Sequence, residues 1–223
     1  MIRGVPEERI TIETPRGPVS GALHVPSTVR SVAVVAHGAG VAMDAPILVA
    51  FSEGLEASGM ASLRFNFRYM EEGRKAPDPE ASLREVYQAA YEAAVERLPG
   101  KPVYACGKSM GGRIGSMVVA DGAIQTEGLV FMGYPLHPPG KPERLRSEHL
   151  HRIKARMLFL QGSRDPFAKR ELLEPLIQEL KPWARLHVVE GGDHSCVVRG
   201  TSQEDTGRLL GGRAARFIQA ADR

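Results

Sequence analysis

Short apolar runs alternate with amphipathic segments along most of this chain, and no other feature constrains its fold as strongly. The runs at 32–36 (VAVVA), 102–106 (PVYAC), 128–132 (GLVFM) and 157–160 (MLFL) contain few polar side chains, as do strands that are buried on both faces of a sheet. Strand and helix in regular succession predict a mostly parallel sheet with helices on both faces. One domain of this class accommodates 223 residues, so we predict a single domain over residues 1–223.

The intervals between these runs have helical periodicity. In residues 80–98, apolar side chains recur at spacings of three and four, and Pro99-Gly100 ends the pattern. Before the first run, the alternating segments 9–14 and 19–25 flank a turn rich in proline and glycine and predict an antiparallel hairpin. The pattern also predicts helices at 46–58, about 110–120, about 167–181 and about 203–220, and strands at 61–67 and 186–189. Together these elements form a sheet of about eight strands.

Composition and charge argue against several classes of function. The net charge is only +3 and the basic residues are interleaved with acidic ones, so we expect no nucleic-acid partner. No segment approaches eighteen consecutive apolar residues, so we expect no membrane span, and the first fifteen residues lack the apolar run of a signal peptide. Two cysteines, Cys106 and Cys196, are too few for a disulfide framework, and their spacing fits no zinc-binding pattern. We expect a cytoplasmic protein without a metal or cofactor.

The segment Cys106–Gly112 (CGKSMGG) is compatible with two different motifs. A phosphate-binding loop ends in Gly-Lys-Ser, and a serine hydrolase presents its nucleophile within Gly-x-Ser-x-Gly. The phosphate loop requires a glycine five positions before Gly107, where this chain has Pro102 at the start of a predicted strand. That context argues against the phosphate loop and favours the serine motif.

The serine motif lies between a predicted strand and a predicted helix, which is the context of a nucleophile elbow. Ser109 would occupy a strained strand-to-helix turn, where side chains two positions before and after it would collide. Both positions are glycines, Gly107 and Gly111. The free N–H groups at the start of the helix would face a developing negative charge. The sequence therefore predicts Ser109 as a nucleophile.

An acid and a histidine follow in the order that such a fold requires. The strand at 157–160 leads into Asp165, and the strand at 186–189 leads into His194, so both would lie at the same sheet edge as Ser109. His194 would take the serine proton, and Asp165 would orient the imidazole. Asp193 is the alternative acid, but a residue adjacent to His194 is poorly placed to reach its ring, and it more readily shapes the turn.

Backbone N–H groups of two loops are expected to stabilise the oxyanion of the reaction. One is the N–H of Met110, which follows the nucleophile, and the other comes from the loop after the strand at 32–36. We expect Ala39 to supply it, with Gly38 as the alternative. His37 opens this loop and is interpreted as orienting it through a backbone hydrogen bond rather than as a catalytic residue.

Four motifs in order, HGAG, GKSMGG, GSRDPF and GGDHS, resemble the α/β-hydrolase superfamily, in particular its small members without a lid near the dienelactone hydrolases. Together with residues 64–79, they also resemble a subgroup of predicted hydrolases related to the hydrolase-like domain of a histone-acetyltransferase complex subunit. The resemblance covers nearly the whole chain and implies an α/β-hydrolase fold with a triad of Ser109, His194 and Asp165. Dienelactone hydrolases carry cysteine at the position of Ser109, so their substrate does not transfer.

Three cations near the predicted site, Lys108, Arg68 and Arg164, offer contacts for an anionic substrate, although surface exposure is the ordinary state of such residues. His149 and His151 are two residues apart and would not share a helix face, so a metal pair there is not expected.

We expect Cys106 to be a buried thiol without reactivity, and Cys196 to be partly exposed. The function predicted is hydrolysis of small esters or thioesters through an acyl-enzyme. The alternative is an interaction module that keeps the hydrolase fold without depending on turnover.

Overall fold

The computed structural model describes residues 7–220, so the two ends of the predicted domain lie outside the described part. Eight strands form one sheet in the order β1-β2-β4-β3-β5-β6-β7-β8. The strands are β1 (Glu8–Ile12), β2 (Val19–His24), β3 (Ser31–Ala36), β4 (Met60–Phe65), β5 (Val103–Lys108), β6 (Gly128–Met132), β7 (Arg156–Gly162) and β8 (Ala184–Val189). The hairpin β1-β2 is antiparallel, β2 is antiparallel to β4, and β3 to β8 are parallel. The predicted mostly parallel sheet with an N-terminal hairpin is confirmed.

Helices cover both faces of the sheet. The described helices are α1 (Pro46–Glu56), α2 (Arg68–Glu71), α3 (Glu80–Arg97), α4 (Met110–Ala120), α5 (Arg170–Glu179) and α6 (Gln203–Gln219). Helices α3, α4 and α5 bury their apolar sides in a core that includes Phe65, Phe131 and Phe159. Helices α1 and α6 pack against the other face, on a smaller core around Val35 and Val130. Among residues 7–220, no helix combines the length and apolar character needed to cross a bilayer.

Several elements differ from the predicted pattern by a few residues, and three of the differences have a clear structural reason or concern a new element. The predicted strand at 61–67 ends at Phe65, because the chain turns there into the short helix α2. The predicted helix at 167–181 begins only at Arg170, because the preceding residues form a turn around the Asp165 carboxylate. The connector at 135–152 contains a 3-10 helix, Glu148–Arg152, which the sequence pattern did not reveal.

The topology places the ends of three strands at one edge of the sheet. Strands β5, β7 and β8 are parallel members of one ladder that also includes β6. Ser109 follows β5 directly, Asp165 comes three residues after β7, and His194 comes five residues after β8. Loops at the carboxyl ends of parallel strands meet at the same edge, where ligands bind in open α/β sheets.

Candidate active site

Ser109 occupies a sharp turn between β5 and α4. Its backbone has φ 49° and ψ −118°, a conformation that a residue with a side chain adopts only under constraint. The turn leaves no room for neighbouring side chains. A Cβ atom at Gly107 would lie 2.5 Å from the carbonyl carbon of Gly111, and one at Gly111 would lie 2.7 Å from the Cβ of Ala36. The glycines of the motif are therefore required by close approach of the backbone.

The structure brings Ser109, His194 and Asp165 together. His194 Nε2 lies 2.7 Å from Ser109 Oγ, and His194 Nδ1 lies 2.7 Å from Asp165 Oδ2. The Asp165 side chain is fully buried, whereas the His194 side chain retains 19% of its exposure. The imidazole thus joins a buried carboxylate to a half-buried serine, and Phe167 packs against the ring at a centroid distance of 4.3 Å.

Asp165 is held in place by donors from two directions. The backbone N–H of Phe167 donates to its Oδ1 at 2.8 Å, and the side-chain amide of Gln161 donates to its Oδ2. The same amide is oriented at its other end, because Gln161 Oε1 accepts the N–H of Tyr134 at 2.8 Å. Sequence reasoning missed Gln161, although its place near the end of β7, four residues before the acid, was a usable signal.

Asp193 has a structural role that differs from the role of Asp165. Its Oδ1 accepts the backbone N–H groups of Ser195 at 2.7 Å and Val197 at 3.0 Å, which closes the turn that carries His194. Cys196 lies inside this turn with φ 62°. It is only 1% exposed, so the expectation of partial exposure was wrong. Burial raises the pKa of the Cys196 thiol to about 12.

The loop after β3 lies beside Ser109. A Cβ atom at Gly38 would lie 3.4 Å from the Cβ of Ser109, so this backbone runs beside the serine side chain. Among residues 7–220, neither the Ala39 N–H nor the Met110 N–H has a hydrogen-bond acceptor. Both of these candidate oxyanion donors therefore remain free to bind a ligand.

His37 organises this loop from inside the protein. Its Nε2 accepts the backbone N–H of Phe67 at 3.0 Å, so the ring proton resides on Nδ1, which donates to the Gly38 carbonyl at 2.7 Å. The side chain is completely buried, and burial lowers the pKa of His37 to about 4. A neutral histidine with both nitrogens occupied orients the backbone and is not available as a base.

The three cations considered as anion contacts differ in their surroundings. Lys108 is only 8% exposed, so the expected surface location was wrong, and desolvation lowers its pKa. Arg68 donates to Glu72 at 3.0 Å and to the carbonyl of Pro18 at 3.1 Å, while Arg164 is exposed. Cys106 is fully buried, as predicted, with a pKa raised to about 12 by desolvation.

A cavity of about 590 Å³ lies far from these residues. Its lining includes Pro102, Ala155 and Trp183, which immediately precede β5, β7 and β8. The cavity therefore lies at the amino ends of the strands, whereas the Ser109 cluster lies at their carboxyl ends. Although this cavity is large, its location at the opposite edge of the sheet separates it from the Ser109 cluster.

Known proteins similar to this chain have the same fold. A model of the alpha/beta hydrolase domain matches residues 29–222. A dienelactone hydrolase from Anabaena variabilis superposes with a TM-score of 0.79 at 19% identity, over 96% of this chain and 97% of the other. A serine hydrolase without a lid from Xanthomonas campestris gives 0.75 at 18% identity over 97% of both chains.

The esterase domain of a Rhodothermus marinus protein has a TM-score of 0.74 at 16% identity, over 96% of this chain and 98% of the other. At such identities the structural likeness shows the fold alone. The family model, in contrast, spans most of the sequence. With the sheet order and the strand-to-helix turn at Ser109, it shows that the chain belongs to the alpha/beta hydrolase family.

Proposed function

We propose that this protein is a serine hydrolase that cleaves small esters or thioesters through an acyl-enzyme on Ser109. The observation that carries the proposal is the unbroken hydrogen-bond chain from Ser109 Oγ through the His194 imidazole to the Asp165 carboxylate, with both contacts at 2.7 Å. A serine hydroxyl is a weak nucleophile at neutral pH, and a histidine within hydrogen-bond reach removes that limitation.

The proposed reaction begins with attack of Ser109 Oγ on the substrate carbonyl carbon, while His194 Nε2 takes the hydroxyl proton. The carbonyl electron pair moves onto oxygen, and the Asp165 carboxylate stabilises the imidazolium through Nδ1–H. Collapse of this intermediate re-forms the carbonyl and breaks the bond to the leaving oxygen or sulfur, which receives the proton from His194. Water then attacks the acyl-enzyme in the same way, which releases the acid and restores the serine.

The N–H groups of Met110 and Ala39 are proposed to donate hydrogen bonds to the oxyanion of the tetrahedral intermediate. In a planar trans peptide, the carbonyl and the next N–H point in opposite directions. Because the Gly38 carbonyl accepts from the buried His37 ring, the Ala39 N–H is directed to the other side of the loop. Gly38 itself runs along the Ser109 side chain, so Ala39 is preferred to Gly38 as the donor. Such donors lower the barrier by stabilising charge that develops in the transition state.

Several features support a small substrate. The described connector at 135–152 forms loops and one 3-10 helix and contributes no lid domain. The solved structures similar to this chain include an esterase domain, a dienelactone hydrolase and a serine hydrolase without a lid. We therefore propose short acyl esters, thioesters and lactones as the substrate class.

The test compares Ser109→Ala with Ser195→Ala. Ser195 lies next to His194, but its hydroxyl makes no hydrogen bond to the imidazole, so it is a matched control for the loss of a serine near the site. We expect Ser109→Ala to lose p-nitrophenyl acetate hydrolysis and fluorophosphonate labelling, and Ser195→Ala to retain both. Equal labelling of Ser109→Ala and the wild type would remove Ser109 from the mechanism. An inactive wild type across a panel of esters, thioesters and lactones would instead favour the interaction module.

A further inference from the structure

The loop that carries the Ala39 N–H has little internal support. We define residues 37–44 as the oxyanion loop. Among residues 7–220, no backbone–backbone hydrogen bond holds Ala39, Gly40 or Val41, and both Ala39 and Gly40 are exposed. The Tyr69 hydroxyl contacts the Gly38 carbonyl at 3.5 Å and the Gly40 backbone. The position of this stretch therefore depends on that hydroxyl and on how the two ends of the loop are anchored.

The first end is anchored by His37, which binds the Phe67 N–H and the Gly38 carbonyl. The second end is anchored at Met43, and both polar groups of its backbone are held by side chains from β4 and the residue after it. Asn66 Oδ1 accepts the Met43 N–H at 2.9 Å, and Arg64 Nη1 donates to the Met43 carbonyl at 2.7 Å. The two ends are thus attached to the same short segment.

Arg64 has unusual surroundings for an arginine. It is only 1% exposed, and its guanidinium also donates to Asp44 at 3.2 Å and pairs with Glu7. A buried charge is retained only where carboxylates and carbonyls compensate for its lost hydration. The plane of the guanidinium is fixed by these partners, so its bond to the Met43 carbonyl has little freedom.

Asn66 is likewise fixed by the sheet. Its backbone N–H donates to the carbonyl of Ser20 at 3.0 Å, which ties the residue to β2. Its side-chain oxygen is then presented to Met43 from a rigid base. With Met43 and His37 both anchored, only residues 38–42 span the gap, and this short stretch carries the Ala39 N–H.

We propose that Asn66 and Arg64 are positioning residues for hydrolysis at Ser109. By holding the Met43 peptide, they set the path of the oxyanion loop and hence the direction of the Ala39 N–H. This inference rests on the proposed function, because it assigns a role within the same reaction. It also gives a physical reason for the sequence RFNF at residues 64–67, which supplies an anchor for each end of the loop.

The experiment uses Asn66→Leu, which removes the acceptor at similar volume, and Asn66→Asp, which keeps an acceptor oxygen. Ser62→Ala is the control, because Ser62 is buried on the same strand and its hydroxyl has no partner among the described residues. For each variant, kcat and KM are measured with p-nitrophenyl acetate, together with the pH dependence of kcat/KM. Inhibition by n-butylboronic acid, which forms a tetrahedral adduct with a reactive serine, reports the oxyanion site directly. Thermal unfolding of each variant reports the fold.

We expect Asn66→Leu to lower kcat about 10-fold and to weaken boronate binding to a similar extent, since small displacements of oxyanion donors are costly. KM and the shape of the pH profile should stay as in the wild type, because the His194–Asp165 pair is untouched. Asn66→Asp should restore most of the lost kcat, and Ser62→Ala should match the wild type. If Asn66→Leu does not fold, Asn66→Ala is judged by the same criteria.

Two outcomes would overturn the positioning role. One is wild-type kcat and boronate affinity in the folded Asn66 variants, and the other is an equal loss in Ser62→Ala, which would indicate general loosening of β4. An active wild type with unaffected variants rejects the positioning role alone. A wild type that neither turns over esters nor reacts with a fluorophosphonate rejects the proposed function, and with it this inference.

Discussion

Acidification should destabilise this protein through His37, and the structure sets the size of the effect. Burial lowers the pKa of His37 from an ordinary 6.5 to about 4. The folded state therefore binds this proton more weakly than the unfolded chain does. The contribution of neutral His37 to the free energy of unfolding is present above pH 6.5. It is lost as the pH falls from 6.5 towards 4. At pH 5 these two pKa values correspond to a loss of about 2 kcal/mol in the free energy of unfolding.

The assay is urea denaturation of the wild type and His37→Gln at pH 7 and pH 5. Glutamine does not titrate, and its amide oxygen can replace Nε2 as the acceptor of the Phe67 N–H. The variant should be less stable overall, because the Gly38 carbonyl loses the His37 ring as a donor and keeps only the more distant Tyr69 hydroxyl. Between pH 7 and pH 5, however, the wild type should lose about 2 kcal/mol more than the variant. Other titrating groups, such as His149, contribute to both proteins and cancel. Equal losses in the two proteins would refute the reasoning.

Two further predictions concern the acid and the buried lysine. Asp165→Asn should lower kcat/KM by about 10³- to 10⁴-fold, because the amide cannot stabilise the imidazolium. Asp193→Asn keeps the oxygen that accepts the hydrogen bonds of the turn, so it should lower kcat/KM less than 10-fold. If steady-state kinetics showed the larger loss in Asp193→Asn, the roles assigned to the two acids would have to be exchanged. Lys108 is 8% exposed, and desolvation lowers its pKa although the carboxylates of Asp193 and Asp165 oppose that shift. Lys108→Met should therefore raise the free energy of unfolding by about 1 kcal/mol or less in urea denaturation at pH 7. A less stable Lys108→Met protein would show that the ammonium group is compensated in the folded state.

Local pattern was sufficient for the architecture and for the choice of candidate residues. Buried parallel strands are nearly uniformly apolar, so the run VAVVA identified β3 without tertiary information. In an amphipathic helix the apolar residues recur every three to four positions, and this spacing identified α3. The close approach of backbone at the elbow admits only glycine at Gly107 and Gly111, which marked Ser109. Chain order along a parallel sheet then indicated Asp165 and His194.

The environments of individual side chains depended on the three-dimensional packing. Lys108 was expected at the surface, yet it is buried, because a strand residue beside the elbow is enclosed by loops that are distant in sequence. Asn66 gave no local signal for its role, since it acts by a hydrogen bond to Met43, more than twenty residues away along the chain. Gln161 lies only four residues before Asp165, but the bond to Tyr134 that orients its amide joins residues more than twenty positions apart.

The sequence by itself determined which residue types stand at the ends of which strands, because periodicity and turn chemistry are local properties of the chain. The tertiary structure alone decided the distances of 2.7 Å that join Ser109, His194 and Asp165. It also decided how the oxyanion loop is held at Met43 and Gly38. Hydrogen bonds act over about 3 Å, and only the packing of the whole sheet brings such distant groups within that range.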